Sequence, residues 1–117
     1  MAATTRTPQE AFQHHAEVLI AGDIDGLVED YSDDAIFITP DGTLRGKDGV
    51  RQAFEKLLAD LPNADWDVPT QIFEDDLLFI EWNAKSEQTR AEDGIDTFVF
   101  RDGLIRAQTV RYTLQRS

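Results

Sequence analysis

The stretch that most restricts how this chain can fold is Gly94-Ile95-Asp96-Thr97-Phe98-Val99-Phe100-Arg101, followed by Asp102-Gly103 and a second extended run, Leu104 to Leu114. A two-residue type I′ turn needs positive φ at both central positions, which Asp-Gly tolerates, so the pattern predicts a β-hairpin. Strand alternation places Asp96, Phe98 and Phe100 on one face and Ile95, Thr97 and Val99 on the other. Both faces are largely apolar, so this strand needs a cover on each side. Helices on a concave face and a second subunit on the convex face would supply them, which makes a homodimer through the outer face of the sheet the expected assembly. On the return strand Arg106, Gln108, Val110 and Tyr112 share one side, mixing polar groups with an aromatic as a pocket wall does.

Two further β-rich segments, Trp66 to Phe73 and Leu77 to Glu87, precede the hairpin, with breaks at Glu74-Asp75-Asp76 and Glu92-Asp93. The first half of the chain has a different periodicity. Thr7-Pro8-Gln9-Glu10 combines a capping threonine, a proline suited to the first helical turn and a glutamate that completes a capping box. Phe12, His15, Ala16, Leu19 and Ile20 follow at helical spacing up to Gly22, which turns His15 inward. A second helix is expected from Asp23 to about Ser32, burying Ile24, Leu27, Val28 and Tyr31, then a strand from Ala35 to Thr39 that Pro40-Asp41-Gly42 ends. A third helix is expected from Lys47 to Leu61, with Val50, Phe54, Leu57, Leu58 and Leu61 on one face. Helices first and antiparallel strands last define an α+β domain. Residues 1–6 read as a flexible tail and residues 7–117 as a single domain.

At 117 residues, 41% of them hydrophobic, the chain has material for one core. Lysine and arginine number 11 against 23 aspartates and glutamates, a formal net charge of -12 that repels phosphate backbones and anionic lipid, so neither nucleic acid nor membrane is an expected partner. No apolar run approaches the ~20 residues of a bilayer span. Without cysteine there is no thiolate metal site and no cysteine nucleophile. Met1 to Pro8 lacks the apolar segment of a secretory signal, so a cytoplasmic location is expected.

Asp96 is the most informative polar residue, because a carboxylate beside two phenylalanines is costly to bury without a partner. It is either a protonated acid that donates to a substrate oxygen, a carboxylate that orients a base, or a strand-end aspartate bonded to backbone amides. His15 is either a core histidine or a second chemical group facing the same interior. His14 and His15 are adjacent on a helix and diverge, so they do not form the i, i+4 pair of a helical zinc site, and no metal or cofactor is expected. Trp66 and Trp82 fit core or interface positions better than ligand platforms, and the face occupied by Glu81 is open. No glycine-rich phosphate loop or nucleophile elbow is present.

Several segments resemble ketosteroid isomerases and SnoaL-like polyketide cyclases of the nuclear transport factor 2-like superfamily. Ala21-Gly22-Asp23-Ile24-Asp25-Gly26-Leu27-Val28 with Tyr31-Ser32-Asp33-Asp34-Ala35 is similar to their second-helix region. Arg45 to Arg51 is similar to the entry into their third helix, and Ile95 to Ile105 to their final hairpin. The resemblance implies a cystatin-like α+β roll, a cone-shaped, strongly curved mixed or antiparallel sheet wrapped around three helices from the first half of the chain. It implies fold more specifically than activity, because one scaffold hosts many chemistries.

In the isomerases an aspartate base moves a proton on carbon, while a tyrosine and a neutral aspartic acid hydrogen-bond the enolate oxygen. By resemblance the neutral acid falls on Asp96, the tyrosine position on His15, a supporting tyrosine on Phe54 and the base on Thr39. A hydroxyl does not take a carbon-bound proton at neutral pH without activation, so ketosteroid isomerisation itself is not implied. The expected catalytic pair is His15 as general acid or base with Asp96 fixing its tautomer. Tyr31, Phe37, Thr39, Phe54, Phe98, Gln108, Val110 and Tyr112 are the expected contacts to a small hydrophobic carbonyl or hydroxyl compound. The expected activity is proton transfer of the isomerase, cyclase or lyase type. A non-catalytic pocket for a small molecule and a dimerising interaction domain are the alternatives.

Overall fold

The computed structural model describes residues 6–116. The elements run α1 (Pro8–Ile20), α2 (Ile24–Glu29), β1 (Tyr31–Thr39), β2 (Gly42–Arg45), α3 (Gly46–Asp60), β3 (Asp65–Glu74), β4 (Leu77–Lys85), β5 (Thr89–Arg101), β6 (Leu104–Arg111) and β7 (Gln115–Arg116). This is the expected α+β architecture, a curled, unclosed sheet with three helices. The sheet order is β2-β1-β6-β5-β4-β3, with β7 paired to β5. Among the described residues only β1 and β6 run parallel; the other pairs are antiparallel.

The capping box forms as the sequence predicts. The Glu10 amide donates to Thr7 Oγ1 at 3.1 Å and the Thr7 amide to Glu10 Oε1 at 2.9 Å, which satisfies two orphan donors of the first turn. Ala11, Phe12 and His15 are the buried residues of α1. Of the expected tail, residues 1–5 lie outside the described residues, while Arg6 is tied to the domain through Asp30 and the Gly103 carbonyl.

The second helix is shorter than its periodicity suggests. It ends at Glu29, and Tyr31 opens a strand because β6 captures the backbone there, the Ile105 amide donating to the Asp30 carbonyl at 2.8 Å. The return strand β2 was not expected, because Gly42-Thr43-Leu44-Arg45 is too short to stand out from a connection. The break expected at Glu92-Asp93 is absent. Strand β5 is continuous from Thr89, and the Asp93 carboxylate accepts from the amide and hydroxyl of Thr113 instead of making a turn.

The hairpin between β5 and β6 turns on Asp102 and Gly103, both at positive φ (55° and 78°), as a type I′ turn requires. Along β5, Asp96, Phe98 and Phe100 are buried, whereas Ile95 is exposed and Thr97 and Val99 are half-buried. The inner row packs on Leu27, Val50, Phe54, Leu61, Leu78 and Ile105 in one core cluster. Each large apolar side chain enclosed there contributes roughly 1.5–3 kcal/mol. A register shift between Val99 and Phe100 sends Ile105 inward and lets Arg106 reach the backbone carbonyl and carboxylate of Asp34, so Arg106 does not share the wall with Gln108. Among the described residues no helix is long and apolar enough to cross a membrane.

Candidate functional site

Between helices α1 and α3 and the inner face of the sheet lies a cavity of about 730 Å³, whose lining includes the exposed residues Ile20, Asp41, Lys56 and Leu114. A cavity of this size suits a small organic molecule. Phe12, Phe37, Phe54 and Phe98 supply much of its apolar wall, and His15, Asp96 and Gln108 are polar groups in its lining.

Asp96 is 6% exposed, and its side chain accepts two short hydrogen bonds. Trp82 Nε1 donates to Oδ1 at 2.7 Å and Gln108 Nε2 to Oδ2 at 2.6 Å. Neither donor carries a charge. Burial pushes the Asp96 pKa up to about 6, and the two hydrogen bonds pull the other way without cancelling it. At neutral pH the group is therefore mostly a carboxylate, but one poised to take a proton.

Gln108 is held in turn. The Tyr31 hydroxyl donates to Gln108 Oε1, which leaves the amide N–H of Gln108 facing Asp96. Tyr31 is fully buried and does not line the cavity, so it is not a ligand contact as expected; it stands behind Gln108. Burial, with Asp96 and Asp30 nearby, raises its hydroxyl far above the ordinary phenol range, and it stays a donor.

His15 does line the cavity, as does Asp96, but the two are not hydrogen-bonded among the described residues. The expected tautomer lock is thus corrected: both Asp96 oxygens are engaged by Trp82 and Gln108, and His15 Nδ1 is buried with no partner. The imidazole sits in an aromatic cage, 5.4 Å from Phe98, 5.7 Å from Phe54 and 5.9 Å from Phe12 between ring centroids. Desolvation, with a smaller contribution from His14, lowers its pKa to about 4, so His15 is neutral at neutral pH.

Thr39 lines the cavity near its rim, but its hydroxyl is occupied by the β1–β2 turn, accepting from the Asp41 amide at 3.0 Å and facing the Gly42 carbonyl. It offers no base. Phe37, Phe54, Phe98, Gln108, Val110 and Tyr112 all line the cavity. Tyr112 donates to Asp60 Oδ2 at 2.8 Å, and Lys56 Nζ meets the same oxygen at 2.7 Å. Glu81 faces outward and accepts from Thr70.

The sequence reading missed Trp82 and Trp66 as cavity walls. They pack on one another at 5.5 Å, and Trp82 packs on Tyr112 at the same separation. The available signal was Gly94, a glycine inside a strand. It pairs with Trp82 across β4 and β5, and a Cβ there would fall 2.1 Å from the indole, so only glycine lets the ring lie flat enough for its N–H to reach Asp96. Among the described residues no group of metal-ligating side chains assembles.

A curled, unclosed sheet with three helices, carrying a mostly apolar cavity with a few convergent polar groups, is a nuclear transport factor 2-like fold. The chain belongs to the SnoaL-like domain family, whose sequence pattern matches residues 12–108. No curated protein sequence matches it. Among similar solved structures, a proposed ketosteroid isomerase from Kribbella flavida superposes with a TM-score of 0.76 at 14% identity, covering 95% of this chain and 82% of that one. IdmH, a proposed polyketide cyclase from Streptomyces antibioticus, gives 0.74 at 18% identity and 92% coverage of both chains. A nuclear transport factor 2-like protein of unknown function from Burkholderia xenovorans gives 0.74 at 24% identity, covering 91% and 82%. At these identities the likeness speaks for the fold alone.

Proposed function

We propose that this protein is a pocket enzyme that moves a proton on a small hydrophobic carbonyl or hydroxyl compound, in a reaction of the isomerase, cyclase or lyase type. The observation that carries this reading is Asp96: a buried carboxyl on a cavity wall, braced by two neutral N–H donors and raised to about 6. A general base works best when its pKa lies near the working pH, and the bracing fixes the carboxyl's direction. Asp96 takes a proton from a carbon or hydroxyl of the substrate and returns it elsewhere on the same molecule. Neutral His15 lines the same cavity and brings an imidazole that can hydrogen-bond a substrate oxygen. With Thr39 held in its turn, the chemistry rests on Asp96 and not on the base position of the isomerases.

The test is proton exchange in heavy water against a panel of small cyclic and aromatic ketones, followed by NMR. Exchange accelerated by the protein should fall about 10²–10⁴-fold in Asp96→Asn, with the fold retained by circular dichroism. Equal exchange in the variant would refute Asp96 as the base.

The outer face of the sheet supports a second proposal, the homodimer. Ile72, Leu77, Phe79 and Ile95 are exposed on neighbouring strands, in register as Ile72↔Phe79 and Glu81↔Ile95. Such a patch is costly to leave in water and suits a second copy of the chain.

A further inference from the structure

The charges lining the cavity are unequal. Among the described residues Asp41, Asp60 and Asp96 contribute carboxylates, Lys56 contributes the one ammonium group, already paired with Asp60 at 2.7 Å, and no arginine lines it. His15 is neutral at neutral pH and does not offset them. Two of these carboxylates are tied to neighbouring aromatic residues: Tyr112 donates to Asp60 at 2.8 Å and Trp82 donates to Asp96 at 2.7 Å. The negative potential is therefore concentrated at one end of the cavity.

That same end is walled by aromatic rings. Trp66, Trp82 and Tyr112 follow one another at 5.5 Å centroid separations with interplanar angles of 49° and 52°, and all three line the cavity. Aromatic faces attract cations, most strongly where water is excluded. A carboxylate-bearing ligand would meet like charge there, in a medium where repulsion is stronger than in water. The net charge of -12 also draws cations towards the mouth.

We infer that the ligand of this cavity carries a protonated amine, seated against Trp66, Trp82 and Tyr112 within the field of Asp60 and Asp96, with an uncharged apolar body filling the rest of the cavity. This names the substrate class within the function proposed above and rests on the cavity being the substrate site. Asp60 Oδ2 is already shared by Lys56 and Tyr112, so Lys56, whose side chain is largely exposed, is the group an incoming amine must displace.

The experiment uses three probes of matched skeleton and different charge: 3-phenylpropylamine, 3-phenylpropanol and 3-phenylpropionate, titrated into the full chain and followed by NMR shifts of the Trp82 and Trp66 indole N–H groups. The amine should bind about tenfold more tightly than the alcohol, and the carboxylate more weakly than either. Asp60→Asn, which keeps an acceptor for Tyr112, should reduce the amine's advantage several-fold, and Lys56→Gln should increase it. An alcohol or carboxylate that binds as well as the amine, an advantage unchanged in Asp60→Asn, or no binding by any of the three would overturn the inference. Its failure is separable from that of the proposed chemistry: amine preference is read without turnover, and proton exchange lost in Asp96→Asn is read whatever the ligand's charge.

Discussion

Among the described residues two carboxylates are buried, and they are compensated in opposite ways. Asp30, 2% exposed, meets Arg6 at 3.2 Å and His14 at 2.8 Å, and its backbone carbonyl receives the Ile105 amide. Asp96, 6% exposed, meets only the neutral N–H groups of Trp82 and Gln108. A carboxylate balanced by a cation ties segments together; here it joins the residues before α1 to the start of β1. A charge balanced by neutral donors keeps the cost of its burial as a raised pKa. Only the second kind, placed on a cavity, is useful for moving protons. The two are linked through Tyr31, which follows Asp30 in the chain and orients the amide that braces Asp96.

The sharpest contrast concerns stability against pH. Asp96 is raised from 3.8 to about 6, so between those values the folded state binds more protons than the unfolded, and its contribution to stability falls as pH rises through that window. His15 is lowered from 6.5 to about 4, so there the unfolded state binds more protons and stability rises with pH. In the parent protein the two slopes oppose each other. Asp96→Asn should unmask the histidine, its stability climbing relative to the parent by about 3 kcal/mol across the window, as measured by urea unfolding at intervals from pH 4 to 7. Parallel curves for parent and variant would break the contrast.

Asp30→Asn is the matching change at the other site. Losing an acceptor for Arg6 and His14 should cost about 2 kcal/mol at pH 7, measured by the same unfolding, while proton exchange in the cavity stays within a few-fold of the parent. A variant that loses exchange and keeps its stability would reverse the roles of the two carboxylates.

A smaller effect sharpens the link between them. Tyr31→Phe removes the donor to Gln108 Oε1 and frees that amide to turn its oxygen towards Asp96, an arrangement that favours the protonated acid. The Asp96 midpoint should rise, and stability should fall by about 1 kcal/mol. Unfolding and a carboxyl titration of the variant check both; a midpoint that stays put would make Tyr31 a core residue only.

How far the sequence could have led to this picture differs by feature. The hairpin at Asp102-Gly103, the capping box at Thr7 and the inward row Asp96-Phe98-Phe100 follow from local rules that the tertiary structure does not override. Tyr31 fits the apolar period of α2 and was taken by β6, because backbone pairing with a strand more than half the chain away outweighs one more helical residue. Glu92-Asp93 has a turn's composition, yet Thr113 captures Asp93 and the strand continues. At the site, alternation places Asp96 indoors but does not name its partner. That depends on the register Ile80↔Asp96 and Trp82↔Gly94, which local rules do not supply, and so Trp82 and Gln108, not His15, hold it.

The central claim, that Asp96 is a buried carboxyl left without a cation and therefore poised near neutrality, is tested most directly by a ¹³C NMR titration of its side-chain carboxyl in the intact protein. The account predicts a midpoint at about 6, moving with ligand and unmoved by Asp30→Asn. A midpoint at the ordinary 3.8 would contradict it.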